Sequence, residues 1–276
     1  MAETIGRYEL LERIGAGTLG ELHRARDLQH GRTVALRLVS PAITQDDKRL
    51  TALLKDVDRV SALSHPAVPA LYEDGQDGER VYIASEYVAG QSLAEMVHAT
   101  PINPRRALDL AVQVADGLAA AHASGLEHGA LSTRRIIVTP KSAVKILDVG
   151  MLAWTGVAAS EHVSDFVGLG EVLFEMLVGR PIRRGWPAEL KVDQLPQVVR
   201  PVLRKLLSSD PKEQYGDMAL ASAALREAME QLGGATQAVP VPTRTPARST
   251  SSRTYILAAL LLVLLVVAVW LLSRSL

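Results

Sequence analysis

A glycine-rich hexapeptide near the N-terminus is the first part of the chain that could do chemistry. Gly15, Gly17 and Gly20 follow the spacing G-x-G-x-x-G, in which missing side chains let backbone N–H groups approach phosphate oxygens. In a dinucleotide-binding unit the last glycine would begin a helix, but residues 21–26 are expected to continue as a strand. The pattern therefore favours a glycine-rich hairpin lying over phosphates, and a plain glycine-rich hairpin is the alternative.

Five further segments follow this hexapeptide along the chain in a fixed order. They are Val34-Ala35-Leu36-Arg37, His65-Pro66 and residues 82–90, 126–136 and 144–150. Together, the six segments resemble the motifs of bacterial, membrane-anchored, eukaryotic-like (Hanks-type) Ser/Thr protein kinases, and the resemblance covers residues 7–232. It implies an α+β, two-lobed protein-kinase-like fold. A nucleotide cleft is then expected between a small β-rich N-lobe (7–88) and a larger helical C-lobe (89–232).

The segment that resembles the catalytic loop has lost most of its chemistry. Its family pattern is H-R-D-x-K-x-x-N, of which His128 is kept. Ala130, Ser132 and Arg135 occupy the positions of the catalytic Asp, the Lys and the metal-binding Asn. Phosphoryl transfer needs a positioned base and metal ligands, which a methyl group cannot supply. We therefore predict no catalytic residue in this loop, and Asp148, in V-K-x-x-D-x-G, is the one metal ligand that is retained.

The same resemblance predicts which residues contact a nucleotide. Leu22, Ala35 and Ile137 are expected to enclose the adenine. The backbone of Glu86 and Val88 would hydrogen-bond it at the hinge between the lobes. The remaining predicted contacts are Gly15, Gly17, Gly20, Arg37 and Asp56.

Arg37 and Asp56 stand where the resemblance expects an ion-paired Lys and Glu. Because the longer cation and the shorter anion occur together, we expect the pair to be kept, although two unrelated surface charges fit the sequence as well. An Arg favours a carboxylate and alters phosphate geometry. Arg135 would repel Mg²⁺ or replace it and hold phosphates directly. We therefore expect ATP to bind weakly and with little dependence on Mg²⁺.

The segment after Gly150 is too short for the usual activation loop. Only 14 residues separate Gly150 from Asp165, which begins D-x-x-x-L-G and is expected to brace the catalytic loop. The A-P-E segment that forms the peptide-docking platform is missing, and Gln214 stands where its Arg partner is expected. The scaffold is kept, with four side chains predicted to stack in one hydrophobic column: Val60, Leu71, His128 and Val149.

Local patterns place the elements that carry these residues. Strands are predicted over 8–14, 33–39 and 81–88, and a helix over 46–63. Helices are predicted after residue 90, from an N-cap at Asn103 with Pro104 at the first helical position, and over 164–178, 198–207 and 218–232. A strand-rich part followed by a helical part agrees with the two-lobed fold.

The composition of the 276-residue chain excludes several classes of protein. Lys plus Arg and Asp plus Glu each number 30, so the net charge gives no case for a nucleic-acid partner. There is no cysteine, which excludes disulfides, thiolate metal sites and thiol nucleophiles. The apolar fraction of 48% is enough for a sizeable core.

The C-terminal part predicts a tether and a membrane anchor. Residues 233–253 are rich in Pro, Ser, Thr and Arg and contain no acid, as expected for a linker whose arginines contact anionic lipid headgroups. Residues 256–272 are all apolar, and we predict a transmembrane helix over 254–272. Three arginines precede it and one follows, which predicts a single-pass protein of the inner (plasma) membrane with a cytoplasmic N-terminal domain. No signal peptide is expected in residues 1–7.

Three functions fit these observations. The favoured one is a pseudokinase that acts as a regulatory or scaffolding module for a cytoplasmic or membrane signalling protein, such as an active kinase. The second is a low-activity or atypical Ser/Thr kinase, in which Asp148 holds one metal and Glu127 or an imported group serves as base. The third is a scaffold that binds no nucleotide and offers the surface bared by the missing activation segment.

Overall fold

The N-terminal lobe is built on one antiparallel sheet. The structure, a computed structural model, describes residues 3–98, 100–154, 156, 163–182 and 195–234. The elements of this lobe are β1 (Thr4–Ile5), β2 (Tyr8–Gly17), β3 (Gly20–Asp27), β4 (Arg32–Val39), α1 (Pro41–Thr44), α2 (Asp47–Ser61), β5 (Leu71–Asp77) and β6 (Arg80–Glu86). The strand order is β1-β2-β3-β4-β6-β5, and each neighbouring pair is antiparallel.

Helix α2 packs one face against this lobe because its apolar residues recur at helical spacing. Leu53, Val57 and Val60 are buried along that face. The Asp46 side chain caps the helix by accepting the backbone N–H groups of residues 48 and 49. The helix therefore begins at a defined residue and presents Asp56 towards the space between the lobes, where its partners are described below.

A buried carboxylate fixes the hairpin between β3 and β4. Asp27 is fully buried and accepts hydrogen bonds from the backbone N–H groups of Gln29 and His30 (both 3.1 Å), and His30 Nδ1 lies 2.8 Å from its other oxygen. Arg7 Nε and Arg32 Nε lie 3.2 and 3.6 Å from the carboxylate. Burial alone would raise the pKa of Asp27, but the hydrogen bonds and the Arg7 charge outweigh burial and lower the pKa to about 2.

The C-terminal lobe is mainly helical and carries one small sheet. Its elements are β7 (Gln91–Ser92), α3 (Leu93–Val97), α4 (Pro104–Ala123), β8 (Ile136–Val138), β9 (Val144–Ile146), α5 (Asp165–Val178), α6 (Arg200–Leu206) and α7 (Met218–Gly234). The three strands are ordered β7-β8-β9 and are antiparallel. This small sheet forms the floor of the space between the lobes.

Helix α4 is the centre of this lobe. Asn103 caps it by accepting the N–H of residue 105, and Pro104 follows at the first helical position. The helix packs closely against its neighbours at Gly117, where an added Cβ would lie 2.8 Å from Ile146 Cδ1. Asp116 accepts hydrogen bonds from Ser222 and Arg226, which join α4 to α7. Side-chain pairing and close packing thus fix the helical core beneath the catalytic-loop segment.

The structure confirms the α+β, two-lobed arrangement and most of the predicted elements. The N-lobe begins earlier than predicted, at Thr4 of β1, and the C-lobe ends later than predicted, at Gly234 of α7. Strand β5 was not predicted, since its sequence, LYEDGQD, is acidic and lies half-buried or exposed at the sheet edge. Within the described ranges, no helix is long and apolar enough to cross a membrane. The predicted transmembrane helix 254–272 and nearly all of the predicted linker lie outside the described residues.

Candidate nucleotide site

A cleft of about 500 Å³ lies between the two lobes. All five residues predicted to surround an adenine line this cleft: Leu22, Ala35, Glu86, Val88 and Ile137. Ile14 and Leu71 add apolar surface that sequence reasoning had not assigned to the nucleotide. The cleft therefore suits a flat, mainly apolar ligand whose polar edge faces the hinge.

The hinge strand is tied to the floor of the cleft through Glu86. The Lys145 ammonium lies 2.7 Å from Glu86 Oε2, which also accepts the backbone N–H of Ala70 at 3.1 Å. The backbone N–H of Glu86 donates to the Ala70 carbonyl at 2.8 Å. These contacts join β6 to β9, so the end of the N-lobe sheet is held against the C-lobe beside the predicted adenine position.

A second cavity of about 210 Å³ lies beneath the turn between β2 and β3. Its walls include Gly15, Gly17, Arg37, Arg135 and Asp148. An added Cβ at Gly17 would meet nothing within 4 Å and one at Gly15 would only reach contact distance, so both glycines leave open space above the cavity. Open backbone and two cations are the groups that could bind phosphate oxygens, and we call this cavity the phosphate subsite.

Gly20 has a different role from the first two glycines. Its φ is +124°, and an added Cβ would overlap the carbonyl oxygen of Leu38 on β4. Glycine is therefore required for the close approach of β3 to β4. Gly20 and Asp56 were also predicted to contact the nucleotide, but neither is among the described residues that line the two cavities.

Asp148 is held between two guanidinium groups. Arg135 donates to Asp148 Oδ2 at 2.6 Å, and an Arg37 nitrogen lies 3.8 Å from Oδ1. Burial lowers the pKa of Arg37, with Asp148 opposing this shift and Arg135 adding to it. Asp148 itself has a left-handed backbone with φ of +59°, which Asp tolerates better than most residues. Both carboxylate oxygens therefore already face a cation.

These residues do not fit a magnesium ion. Mg²⁺ requires oxygen ligands in near-octahedral geometry, whereas a guanidinium offers only N–H donors. The described part of the chain contains no group of three or more His, Cys, Asp or Glu side chains that could hold a metal. Arg135, which was predicted to replace a metal-binding Asn, instead places a positive charge beside Asp148.

The expected pair between Arg37 and Asp56 is not formed in the described part of the structure. Arg37 turns towards Asp148, and Asp56 accepts a hydrogen bond from Trp154 Nε1 at 2.9 Å. Arg59 lies 3.7 Å from the other Asp56 oxygen. The physical reason is that Asp is one methylene shorter than Glu, and that Asp148 offers Arg37 a closer acid. The prediction of the pair was therefore wrong.

The catalytic-loop segment is firmly braced, as predicted for Asp165. That carboxylate accepts the backbone N–H groups of His128 (2.9 Å) and Gly129 (2.7 Å), and His122 Nε2 lies 2.7 Å away. Burial would raise the pKa of Asp165, but these hydrogen bonds, led by the His122 contact, lower it. The loop is thus held in place with only the methyl group of Ala130 at its centre.

The buried histidine of this loop is neutral and belongs to the internal scaffold. Burial lowers the pKa of His128, and its Nδ1 accepts the N–H of Ala130 at 3.2 Å. Val60, His128 and Val149 are buried and Leu71 is partly buried, as expected for the predicted hydrophobic column. An added Cβ at Gly150 would lie 2.8 Å from Val60 Cγ2, so α2 packs closely on this segment.

The described residues between Gly150 and Asp165 contact the site at two points. A 3₁₀ turn at its start ends at Trp154, whose carbonyl oxygen accepts a hydrogen bond from the Thr18 hydroxyl at 2.7 Å. Further on, the N–H of Val163 donates to the Gly129 carbonyl. Sequence reasoning missed Trp154 because no local pattern distinguishes it. Gln214, at the position of the missing ion-pair Arg, donates to the Ser208 carbonyl.

Comparison with known proteins agrees with this geometry. The family model described as protein kinase domain matches residues 8–169, more than half of the chain. This chain belongs to the protein kinase domain family. Its relatives include the serine/threonine-protein kinase PknB of Mycolicibacterium smegmatis, 32% identical over 205 residues, and PrkC of Bacillus subtilis, 25% identical over 254 residues.

The kinase domain accounts for only part of those relatives. The alignments cover 63% of this chain and 33% of PknB, and 76% of this chain and 38% of PrkC. Among solved structures, the kinase domain of Mycobacterium tuberculosis PknI superposes with a TM-score of 0.67 at 20% identity, covering 83% of this chain and 98% of that one. This similarity confirms the two-lobed protein-kinase fold.

Proposed function

We propose that this chain is a pseudokinase, a regulatory or scaffolding module that keeps the kinase fold without phosphoryl transfer. The observation that carries the proposal is the ion pair between Arg135 and Asp148, at 2.6 Å. Arg135 stands at one metal-ligand position and occupies the carboxylate of the other. With Ala130 at the position of the base, the site has neither a proton acceptor nor a metal site in its usual place.

The cleft still has the features of an adenine nucleotide site. Apolar walls and the hinge backbone at Glu86 and Val88 would hold the base, and Arg37 and Arg135 would hold phosphate oxygens. Guanidinium groups bind phosphates through paired hydrogen bonds without a metal. We therefore propose weak binding of ATP or ADP, in which phosphate oxygens compete with Asp148 for the two arginines. Mg²⁺ should add no affinity, because it would have to displace Arg135.

The position of the module in the cell is part of the proposal. The apolar run 256–272 would anchor the chain in the inner membrane, with the kinase domain in the cytoplasm and the linker arginines near lipid headgroups. A cytoplasmic or membrane signalling protein, such as an active kinase, would be the partner. The short segment between Gly150 and Asp165 supports this, because it leaves no room for the usual peptide-docking platform.

The test of the proposal is a search for transferred groups. The full chain in detergent is incubated with Mg-ATP, alone and with generic protein substrates, and its mass is then measured. We expect no added group. The competing function, a low-activity kinase that uses Asp148 and Glu127, predicts an added phosphoryl group that disappears in Asp148→Ala. That outcome would overturn the proposal, and a nucleotidyl group would indicate transfer of another part of the nucleotide.

A further inference from the structure

Trp154 joins the glycine-rich hairpin to helix α2 beside the phosphate subsite. Its carbonyl oxygen accepts the hydrogen bond from Thr18, at the tip of the glycine-rich hairpin, and its indole N–H donates to Asp56 on α2. Trp154 is 8% exposed and is part of the wall of the subsite. We call the chain of contacts Thr18–Trp154–Asp56 the clasp.

The clasp depends on two neighbouring features that depart from the kinase pattern expected from the sequence. Asp56 has no bond to Arg37, so its carboxylate can accept the indole N–H. The chain after Gly150 reaches the hairpin tip at Trp154. An added Cβ at Gly156 would lie 2.6 Å from Thr18 Cγ2, which shows how closely that backbone passes.

The clasp holds the exposed tip of the hairpin turn, whose other residue, Leu19, is already buried and accepts the N–H of Ser40. Residues 18 and 19 form the turn between the paired ends of β2 and β3, and Thr18 is exposed. Ordering such a turn when a ligand binds costs conformational entropy that reduces affinity. With the hydrogen bond to Trp154 present, the turn is held over the phosphate subsite before any ligand arrives.

We propose that Trp154 is a positioning residue that holds the glycine-rich hairpin closed in advance, and that it thereby favours phosphate-bearing adenine ligands over adenosine without a metal. This inference rests on the proposed binding of adenine nucleotides. A residue of the shortened activation segment would then determine the preference for ligands that carry phosphate. The adenine end of the cleft has walls of its own and does not depend on the clasp.

The test compares ADP with adenosine by calorimetric titration of the full chain in detergent, with EDTA present. Thr18→Val removes the hydroxyl that binds the Trp154 carbonyl, and Trp154→Phe removes the donor to Asp56. Each variant should weaken ADP binding about fivefold, the usual effect of one lost hydrogen bond, and leave adenosine binding unchanged. Thr51→Val, an exposed threonine on α2, is the matched control and should change neither affinity.

The outcomes separate the clasp from the proposed function. If the unaltered chain binds neither ADP nor adenosine, both proposals fail. If it binds them but the variants weaken both equally or neither, only the clasp is overturned. A second measurement needs no ligand: hydrogen exchange at the amides of residues 15–20 should be faster in Thr18→Val than in Thr51→Val. Equal exchange would overturn the clasp.

Discussion

Two carboxylates in this molecule are each held by a pair of arginines, yet they differ in every other respect. Asp27 is fully buried, and backbone N–H groups and His30 satisfy the oxygens that Arg7 and Arg32 approach. Asp148 has a side chain that is 32% exposed and faces an open cavity. The comparison teaches that a carboxylate between two arginines stabilises the fold where further hydrogen bonds satisfy both of its oxygens. Where solvent and ligands reach the carboxylate, a ligand can replace it as the partner of the arginines.

Removing the buried acid should have the largest effect. Asp27→Ala leaves the partly buried Arg7 and the backbone N–H groups of the hairpin without their acceptor, and we expect a loss of about 3 kcal/mol in the free energy of unfolding. Denaturant unfolding of the full chain measures it. Asp58→Ala, at an exposed position on α2, is the control and should change stability by less than about 0.5 kcal/mol. Equal losses would remove the distinction between the two carboxylates.

Lowering the pH should also destabilise the fold through the buried carboxylate of Asp27. Because the folded-state pKa of Asp27 is lowered to about 2, its contribution to stability is fully present above the unfolded value near 3.8 and is lost as the pH falls towards 2. Stability measured from pH 6 to pH 3 should therefore fall more steeply in the unaltered chain than in Asp27→Asn. Parallel curves would show that other carboxylates control the acid transition.

Changing the cation beside the half-buried Asp148 should alter ligand binding. Arg135→Asn removes the guanidinium from Asp148 and supplies an amide oxygen, so a metal can approach. We expect Mg²⁺ to raise the affinity for ADP about tenfold in this variant, or ~1.4 kcal/mol, and not to raise it in the unaltered chain. Arg134→Asn changes the neighbouring exposed arginine and is the matched control. Mg²⁺-dependent binding in the unaltered chain would contradict the proposed role of Arg135.

Removing the half-buried acid Asp148 should have a smaller effect on stability than removing Asp27. Asp148→Ala breaks two ion pairs at the wall of an open cavity, where water can solvate the released arginines, and we expect a loss of about 1 kcal/mol in the free energy of unfolding. Raising the salt concentration should reduce even this difference, which denaturant unfolding at two ionic strengths would show. A loss as large as that for Asp27→Ala would mean that Asp148 holds the fold together.

The sequence was most informative where residues close together along the chain determine the structure. Helices α4 and α5 follow from their caps and glycines: Asn103 and Ser164 begin them, and Gly179 ends the second in the left-handed conformation. The adenine-facing residues followed from ordered motifs. In contrast, the bonds of Trp154 to Asp56 and Thr18 span 98 and 136 positions along the chain. No local pattern encodes such contacts.

The pairing of Arg37 shows how correctly predicted secondary structure can still give a wrong contact. Arg37 lies on the predicted strand and Asp56 on the predicted helix, but the acid that an arginine contacts depends on reach and solvent exposure. The shorter side chain of Asp56 and the nearness of Asp148 decided the outcome. Such competition depends on the folded geometry and cannot be read from spacing alone.

The bridge between Arg135 and Asp148 has an evolutionary consequence. A single substitution at position 130 would return an acid to the catalytic loop, but Arg135 would still occupy the carboxylate that a metal requires. Replacing Arg135 alone would open that carboxylate while Ala130 still offered no base. Under the proposed function, neither substitution alone restores phosphoryl transfer, so selection would have no first step to favour. A pseudokinase built in this way would be hard to convert back into an active kinase, and its fold would be free to acquire other functions.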